Sequence, residues 1–222
     1  METSGVNARF ESLALDEFEA KQLLARYGVP VVGEARAKNA DDAAVVAGRI
    51  GYPVVLKGLG AQFAHKTELG LVVLNLKDEA ALRAAAAQLL AAMQGEGELL
   101  VQQMVQGKRE FLVGMSRDTQ FGATVTFGLG GIFAEALADV ALRIAPVSRD
   151  DAHEMLSEIR AQALLGPVRG MPAVDREVLV DAIVGLSRLA LERPDIDAID
   201  INPLVIAGSQ PVAVDALVLL KP

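Results

Sequence analysis

The sequence contains no cysteine and no tryptophan, and aromatic residues make up only 4% of it. Without thiols, disulfides, thiolate metal centres and cysteine nucleophiles are excluded. That absence fits a reducing, cytoplasmic setting. No apolar run reaches the length of a membrane span, and Met1 to Ser12 are too polar for a signal-peptide core. Those residues read as a loose N-terminal extension. Positive charge is also scarce. The net charge is −8 and the pI is near 4.9, which argues against a general nucleic-acid or anionic-membrane surface. A nucleotide held by a few local cations stays compatible with that balance. Apolar residues are abundant, at 52% of 222, and many are alanine. They can fill one large domain or two small ones with closely packed helices.

Periodicity and punctuation divide the chain. Leu15 to Tyr27 carries apolar residues at helical spacing, with acids early and Arg26 late, and Gly28 as a stop. Pro30 to Val32 reads as a short strand. Asn39 caps a second helix that ends at Gly51. Pro53 to Leu56 reads as a buried strand leading into Lys57. Leu71 to Leu76 is a strand, Asp78 opens an alanine-rich helix to about Met93, and Leu99 to Met104 is again a strand. Alternating strands and helices indicate an α/β layer. Beyond Gly107 the pattern shifts to a hairpin, Glu110–Met115 with Phe121–Phe127, then helices from Ser148 and from Val174. Two subdomains follow, 13–106 and 107–222, hinged near 104–108.

The closing segment is the richest in side chains that bear oxygen. Asp200 to Ile206 and Pro211 to Asp215 flank a link containing Gly208-Ser209. A two-residue turn there, of type II′ with glycine first, pairs Ile206 with Pro211. Carried further, that register sets Asn202 opposite Asp215. Alternation places Asp200 and Asn202 on one face, away from Ile199 and Ile201. Hard cations such as Mg²⁺ take one or two such ligands together with substrate phosphates. A solvated strand edge explains the same residues without a metal.

Other signals are weaker taken singly. Gly60-Ala-Gln-Phe-Ala-His-Lys-Thr67 approaches a P-loop, but His65 stands where the second glycine belongs, and a strand follows instead of a helix. His65 reads either as a surface loop histidine or as a nucleophile or proton carrier. His153, within an acidic helix, reads as a solvated face residue. Lys57 is a point charge suited to phosphate. The glycines of Gly128-Leu-Gly-Gly131 admit phosphate close to the backbone, and Arg143 follows as a candidate phosphate clamp.

Taken in order, these segments resemble the ATP-grasp domain of the NDP-forming acyl-CoA synthetases. The matching stretches are Asp16-Glu-Phe-Glu-Ala-Lys-Gln-Leu-Leu24, Tyr52-Pro-Val-Val-Leu-Lys57, His65-Lys-Thr67, Gln120-Phe-Gly122, Gly128-Leu-Gly-Gly-Ile-Phe133, Asp139-Val-Ala-Leu-Arg143, and Asp200-Ile-Asn-Pro-Leu204 with Asp215. The resemblance implies an ATP-grasp fold of two α+β subdomains with ATP bound between them. It implies that Lys57 contacts the phosphates, that Gln102, Gln103, Met104 and Val105 line an adenine hinge, and that Glu110 lies near the nucleotide with Gly130 and Gly131. Arg143 would hold phosphate, Asn202 and Asp215 would bind Mg²⁺, and Asp200 would lie beside the transferring phosphoryl group. His65 would relay that group as phosphohistidine.

The implied reaction couples ATP, yielding ADP and phosphate, to the joining of an acid with CoA. CoA would be bound mainly by an α-type partner that carries its own phosphohistidine, so a hetero-oligomer is expected, with no nucleic acid and no membrane. Selection of the acid would fall largely to that partner. The chain departs from the family at Gln102 and Gln103, where acids are common, and before His65, where Ser-Pro-Asp is usual. The CoA-binding domains are absent from these 222 residues. Two other readings are an ATP-grasp sensing module, such as those fused to protein acyltransferases, and a carboxylate–amine ligase, which would not require the histidine loop.

Overall fold

The computed structural model describes residues 14–60, 63, 66, 69–131 and 137–221. The chain forms two compact units. The first gathers Met1–Glu19 and Val32–Met104, and the second gathers Ala20–Val31 and Val105–Pro222. The division is therefore not linear. Residues 20–31 group with the later part of the chain, where the amide of Ala213 donates to Pro30 O at 2.8 Å and Val31 forms a parallel bridge with Ala213. That bridge replaces the short strand expected at Pro30–Val32.

In the first unit a short strand, β1 (Ala14–Leu15), leads into the start of helix α1 (Glu17–Ala25), whose residues from Ala20 on group with the second unit. β2 (Glu34–Ala37), β3 (Val54–Leu59), β4 (Val72–Leu76) and β5 (Glu98–Gln103) form an antiparallel sheet in the order β2-β5-β3-β4. Helices α2 (Ala40–Ile50) and α3 (Glu79–Ala92) begin where short polar side chains satisfy first-turn amides. Asn39 accepts from Asp42 N, and Asp78 accepts from Ala81 N. Both caps and the stop at Gly51 match the sequence. Ala43, Ala47, Leu82, Ala86 and Leu89 meet Val54, Leu56, Leu99 and Val101 in one core. Small alanines let these helices lie close to the sheet. β3 is buried along its whole length and runs on through Lys57 to Leu59. Lys57 is thus a mid-strand residue, not a strand-terminal one.

The second unit is built on β6 (Glu110–Asp118), β7 (Gly122–Leu129), β8 (Val140–Ile144), β9 (Ile196–Ala207), β10 (Gln210–Ala213) and β11 (Leu217–Leu220). Their order is β11-β9-β6-β7-β8, with β10 also paired to β9. β8 and β11 carry too few local signals to stand out in the sequence, and β11, not the hairpin, closes the chain. One sheet face buries Phe111, Val113, Met115, Val125, Phe127, Ile199 and Ile201, with the Phe111 and Phe127 rings stacked at 5.5 Å.

Helices α4 (Arg149–Glu158) and α5 (Arg176–Glu192) accompany this sheet. Ser148 and Asp151 form a full capping box at the start of α4. α5 buries Leu179, Ile183, Leu186 and Leu189, and it needs Gly185, where a Cβ would collide with the carbonyl of Tyr27. Arg109, 3% exposed, donates to four backbone carbonyls: Leu164, Gly166, Pro172 and Gly208. Among the described residues no helix is long and apolar enough to cross a membrane.

Candidate functional site

The hairpin register fits the sequence expectation. Ile206 pairs with Pro211 and Leu204 with Ala213. Gly208 has φ of 65°, while Ser209 keeps an ordinary negative φ, as a type II′ turn requires. Past Ala213 the ladder lapses, then resumes in the same register where β11 pairs Leu217 with Asp200 and Val218 with Ile199. Asn202 and Asp215 occupy the gap between these two ladders. Val214 N donates to Pro203 O at 3.3 Å across it. The interruption turns aside a stretch of backbone that would otherwise be occupied by ladder bonds.

Asp200 lies on the sheet face opposite the core, in one cross-strand row with Gly114 of β6 and Thr126 of β7. Partial burial raises the Asp200 carboxyl pKa above the ordinary carboxylate range, and the Asp215 carboxylate raises it further. The two acids therefore sense each other. Asn202 Oδ1 accepts from Gly131 N at 3.2 Å, and Gly130 N donates to Glu110 O at 2.9 Å. Gly131 has φ of 67°, and a Cβ there would collide with Glu110 Oε2. Glu110, Gly130, Gly131 and Asn202 thus close on one another at the start of β6 and the end of β7. Among the described residues no three His, Asp or Glu side chains cluster as a self-sufficient metal site. Two repelling carboxylates beside an amide oxygen do fit Mg²⁺, which takes few protein ligands and relies on phosphate and water for the rest.

The first unit carries the other candidates. Lys57 Nζ donates to Glu17 Oε1 at 2.6 Å, with the two side chains 7% and 1% exposed. Glu17 Oε2 lies 2.5 Å from Lys66 Nζ. Sequence reading treats Glu17 as a first-turn acid that suits the helix dipole. Its contacts lie 40 and 49 positions away, so no local pattern announces them. The amides of Gln103 and Met104 are taken by Gly33 O at 2.9 Å and Pro53 O at 3.3 Å. Gln102 is buried, Gln103 is exposed, and Met104 and Val105 are half-buried. His65 and the stretch 132–136 lie outside the described residues.

Arg143 sits apart from the Asp200 face. It pairs with Val125 on the core side of the sheet, forms an ion pair with Glu158, and lies 3.3 Å from Glu154 of the same helix. Asp139, the other charged residue of its motif, accepts from Arg160 N at 2.8 Å and Ala161 N at 2.7 Å. Both ends of that motif thus serve α4 and the 3₁₀ turn after it.

The ATP-grasp domain family matches residues 8–220. The chain belongs to the ATP-grasp family. It is 42% identical over 219 residues to the β subunit of the ADP-forming acetate–CoA ligase I of Pyrococcus furiosus, covering 96% of this chain and 94% of that one. It is 39% identical over 209 residues to the ADP-forming acetate–CoA ligase I of Archaeoglobus fulgidus, covering 91% of this chain but 30% of that longer one. Among solved structures it matches the dinucleotide-forming acetyl-coenzyme A synthetase 1 of Ca. Korarchaeum cryptofilum in complex with coenzyme A and Ca-AMPCP. The TM-score is 0.88 at 38% identity, covering 94% of this chain and 93% of that one. A further structure of that synthetase holds coenzyme A and Mg-AMPPCP, with its phosphohistidine segment pointing towards the nucleotide binding site (TM-score 0.83, 37% identity, 94% and 93% covered). An ATP-grasp chain of this kind appears as a separate subunit in one relative and as part of a longer chain in another.

Proposed function

We propose that this chain is the ATP-binding, phosphoryl-transferring β-type subunit of an ADP-forming acyl-CoA synthetase, in which ATP, a carboxylic acid and CoA yield acyl-CoA, ADP and phosphate. The observation that carries the reading is the match to an acetate–CoA ligase β subunit along 94% of that subunit's length. The joining of the acid to CoA belongs to a CoA-binding partner, so the working enzyme is a hetero-oligomer. The lack of cysteine and of a membrane-crossing helix among the described residues supports a cytoplasmic home.

The residues divide the work. Lys57 of the first unit presents an ammonium to the ATP phosphates, and the stretch from the last residue of β5, Gln103 to Val105, meets the adenine. In the second, Glu110 with Gly130 and Gly131 borders the nucleotide. Asn202 and Asp215 would hold Mg²⁺, with Asp200 beside the phosphoryl group in flight. Mg²⁺, when bound, neutralises charge on the phosphates. In the transfer an imidazole nitrogen forms a bond to the γ-phosphorus as the bond to the β,γ-bridging oxygen breaks, and ADP leaves. Phosphorus on imidazole keeps a high transfer potential, so His65 and the partner's histidine can pass it on. Catalysis here is mostly positioning and electrostatics.

The test is reconstitution with the CoA-binding companion. ADP release should depend on both acid and CoA, and γ-labelled ATP should leave acid-labile label that disappears in His65→Ala. ATP turnover indifferent to acid and CoA would overturn the assignment. Undiminished label and turnover in His65→Ala would remove the relay.

A further inference from the structure

The contact that stands out beyond the expected machinery is the buried carboxylate of Glu17, with a different lysine on each oxygen. Oε1 accepts from Lys57 at 2.6 Å and Oε2 meets Lys66 at 2.5 Å, while the Glu17 side chain is 1% exposed. The three groups come from three places in the first unit: the first residue of α1, the middle of β3, and the loop between β3 and β4. A carboxylate has a fixed, small separation between its oxygens. Holding one ammonium on each therefore fixes how far apart the two ammoniums stand.

The helix start is itself anchored. Arg36 of β2 reaches Asp16 at 2.7 Å and Glu19 at 3.4 Å, and its guanidinium lies 5.0 Å from the centroid of the Phe18 ring. Asp16 Oδ1 caps the first turn by accepting from Glu19 N at 3.0 Å. Glu17 is thus presented from a backbone held on both sides of it. The two lysines also differ in neighbourhood. Lys57 is locked in a strand, whereas Lys66 follows His65 directly in the chain.

We infer that Glu17 is a positioning residue that couples the two lysines: it aims Lys57 for the phosphates of ATP and holds Lys66, the residue next to His65 in the chain. The inference rests on the phosphoryl-transfer reading above. Glutamine at position 17 keeps the volume and one acceptor oxygen, but its –NH₂ faces the second ammonium donor to donor. Removing one member of a buried ion pair leaves a charge without its partner, which is the expensive case. Lys66→Met is the milder and more selective change, because it leaves Glu17 with Lys57.

The experiment uses the chain reconstituted with its CoA-binding companion, scoring ATP affinity and the rate of acid-labile labelling separately. Lys66→Met should leave the ATP dissociation constant within about threefold of wild type, yet slow labelling at least about tenfold. Glu17→Gln should weaken ATP binding about tenfold and slow labelling as well. Glu17→Asp should recover part of the ATP affinity, because it restores the charge with shorter reach. The double variant Glu17→Gln/Lys66→Met should label little more slowly than Glu17→Gln alone, because contacting residues in one network are not additive. Normal labelling in Lys66→Met overturns the inference even if Glu17→Gln fails to fold, and fully additive losses in the double variant do the same. Absence of label in the wild-type complex would overturn the phosphoryl-transfer reading and this inference with it. Label in the wild type that persists in the variants would overturn the inference alone.

Discussion

The side-chain oxygen of Asn202 accepts the backbone amide of Gly131 at 3.2 Å, tying the middle of β9 to the end of β7. One candidate metal ligand and one candidate phosphate-facing glycine are therefore a single local structure. Gly131→Ala tests that link. A side chain there has to adopt φ of 67° and collides with Glu110 Oε2. The left-handed conformation alone costs an alanine roughly 1–2 kcal/mol. The expected outcome is a loss of that size in denaturant unfolding, together with a weakened Mg-ATP titration. Unchanged nucleotide affinity would separate the glycine turn from the site.

Asp200 carries a cost in the ligand-free protein. Partial burial and the Asp215 carboxylate raise its folded pKa above an unfolded value near 3.9. A raised carboxyl pKa means that the folded state binds the proton more tightly. The stability this contributes is complete below the unfolded pKa and is lost as pH rises through the folded one. At neutral pH the ionised carboxylate opposes folding. Asp200→Asn should therefore melt higher than wild type at pH 7 without ligand, and the gap should close towards pH 4. Phosphoryl transfer should fall at least about 100-fold, the scale of a positioned acid–base or charge-stabilising group. Thermal melts across pH, with and without Mg-ATP, check both parts.

How much of this was legible in the sequence follows from the range of each interaction. Asn39, Asp78 and the Ser148–Asp151 box act within four residues of themselves, so the helix starts stand where the sequence puts them. The β9–β10 register was equally readable, because a two-residue turn fixes it. β2, β8 and β11 were not: each spans only four or five residues, and β2 pairs with β5, far along the chain. The same holds for the grouping of residues 20–31 with the second unit, which turns on a contact between Val31 and Ala213. Among the candidate site residues, the facing of Asn202 and Asp215 was local enough to read, because both follow from the hairpin register. Glu17 was not, because its partners lie far along the chain.

Arg109 is a stability determinant whose guanidinium serves backbone carbonyls instead of a carboxylate among the described residues. Its two terminal nitrogens serve Leu164 O, Gly166 O, Pro172 O and Gly208 O at 2.8–3.1 Å. These bonds pin the 164–172 segment to the turn of the β9–β10 hairpin. Arg109→Ala removes a buried guanidinium and leaves four part-buried carbonyls without that donor, and it should destabilise the second unit by about 2–4 kcal/mol, a few charge-assisted hydrogen bonds' worth. Arg109→Lys should recover only a part, because one ammonium cannot reproduce the planar fork. Chemical denaturation monitored on the second unit measures the difference.

Lys57 and Arg143 make a decisive pair, because the family resemblance gives both of them phosphate while their surroundings differ. Lys57 sits in a fully buried strand with its ammonium on Glu17. Arg143 lies on the core side of its sheet, where Glu158 and Glu154 raise its pKa still further. A guanidinium already forked onto carboxylates has to leave them to meet a phosphate. Removing a charge-assisted hydrogen bond of about 1.5–3 kcal/mol corresponds to roughly 10- to 100-fold in affinity, and Lys57→Ala should lose that much in ATP binding. Arg143→Ala should stay within about threefold. Its effect on stability should also be modest, near 1 kcal/mol or less, because partly exposed ion pairs contribute little. ATP titrations and melts of the two variants side by side decide the matter. A loss in Arg143→Ala as large as that in Lys57→Ala would return Arg143 to the phosphate site and require α4 to release it when nucleotide binds.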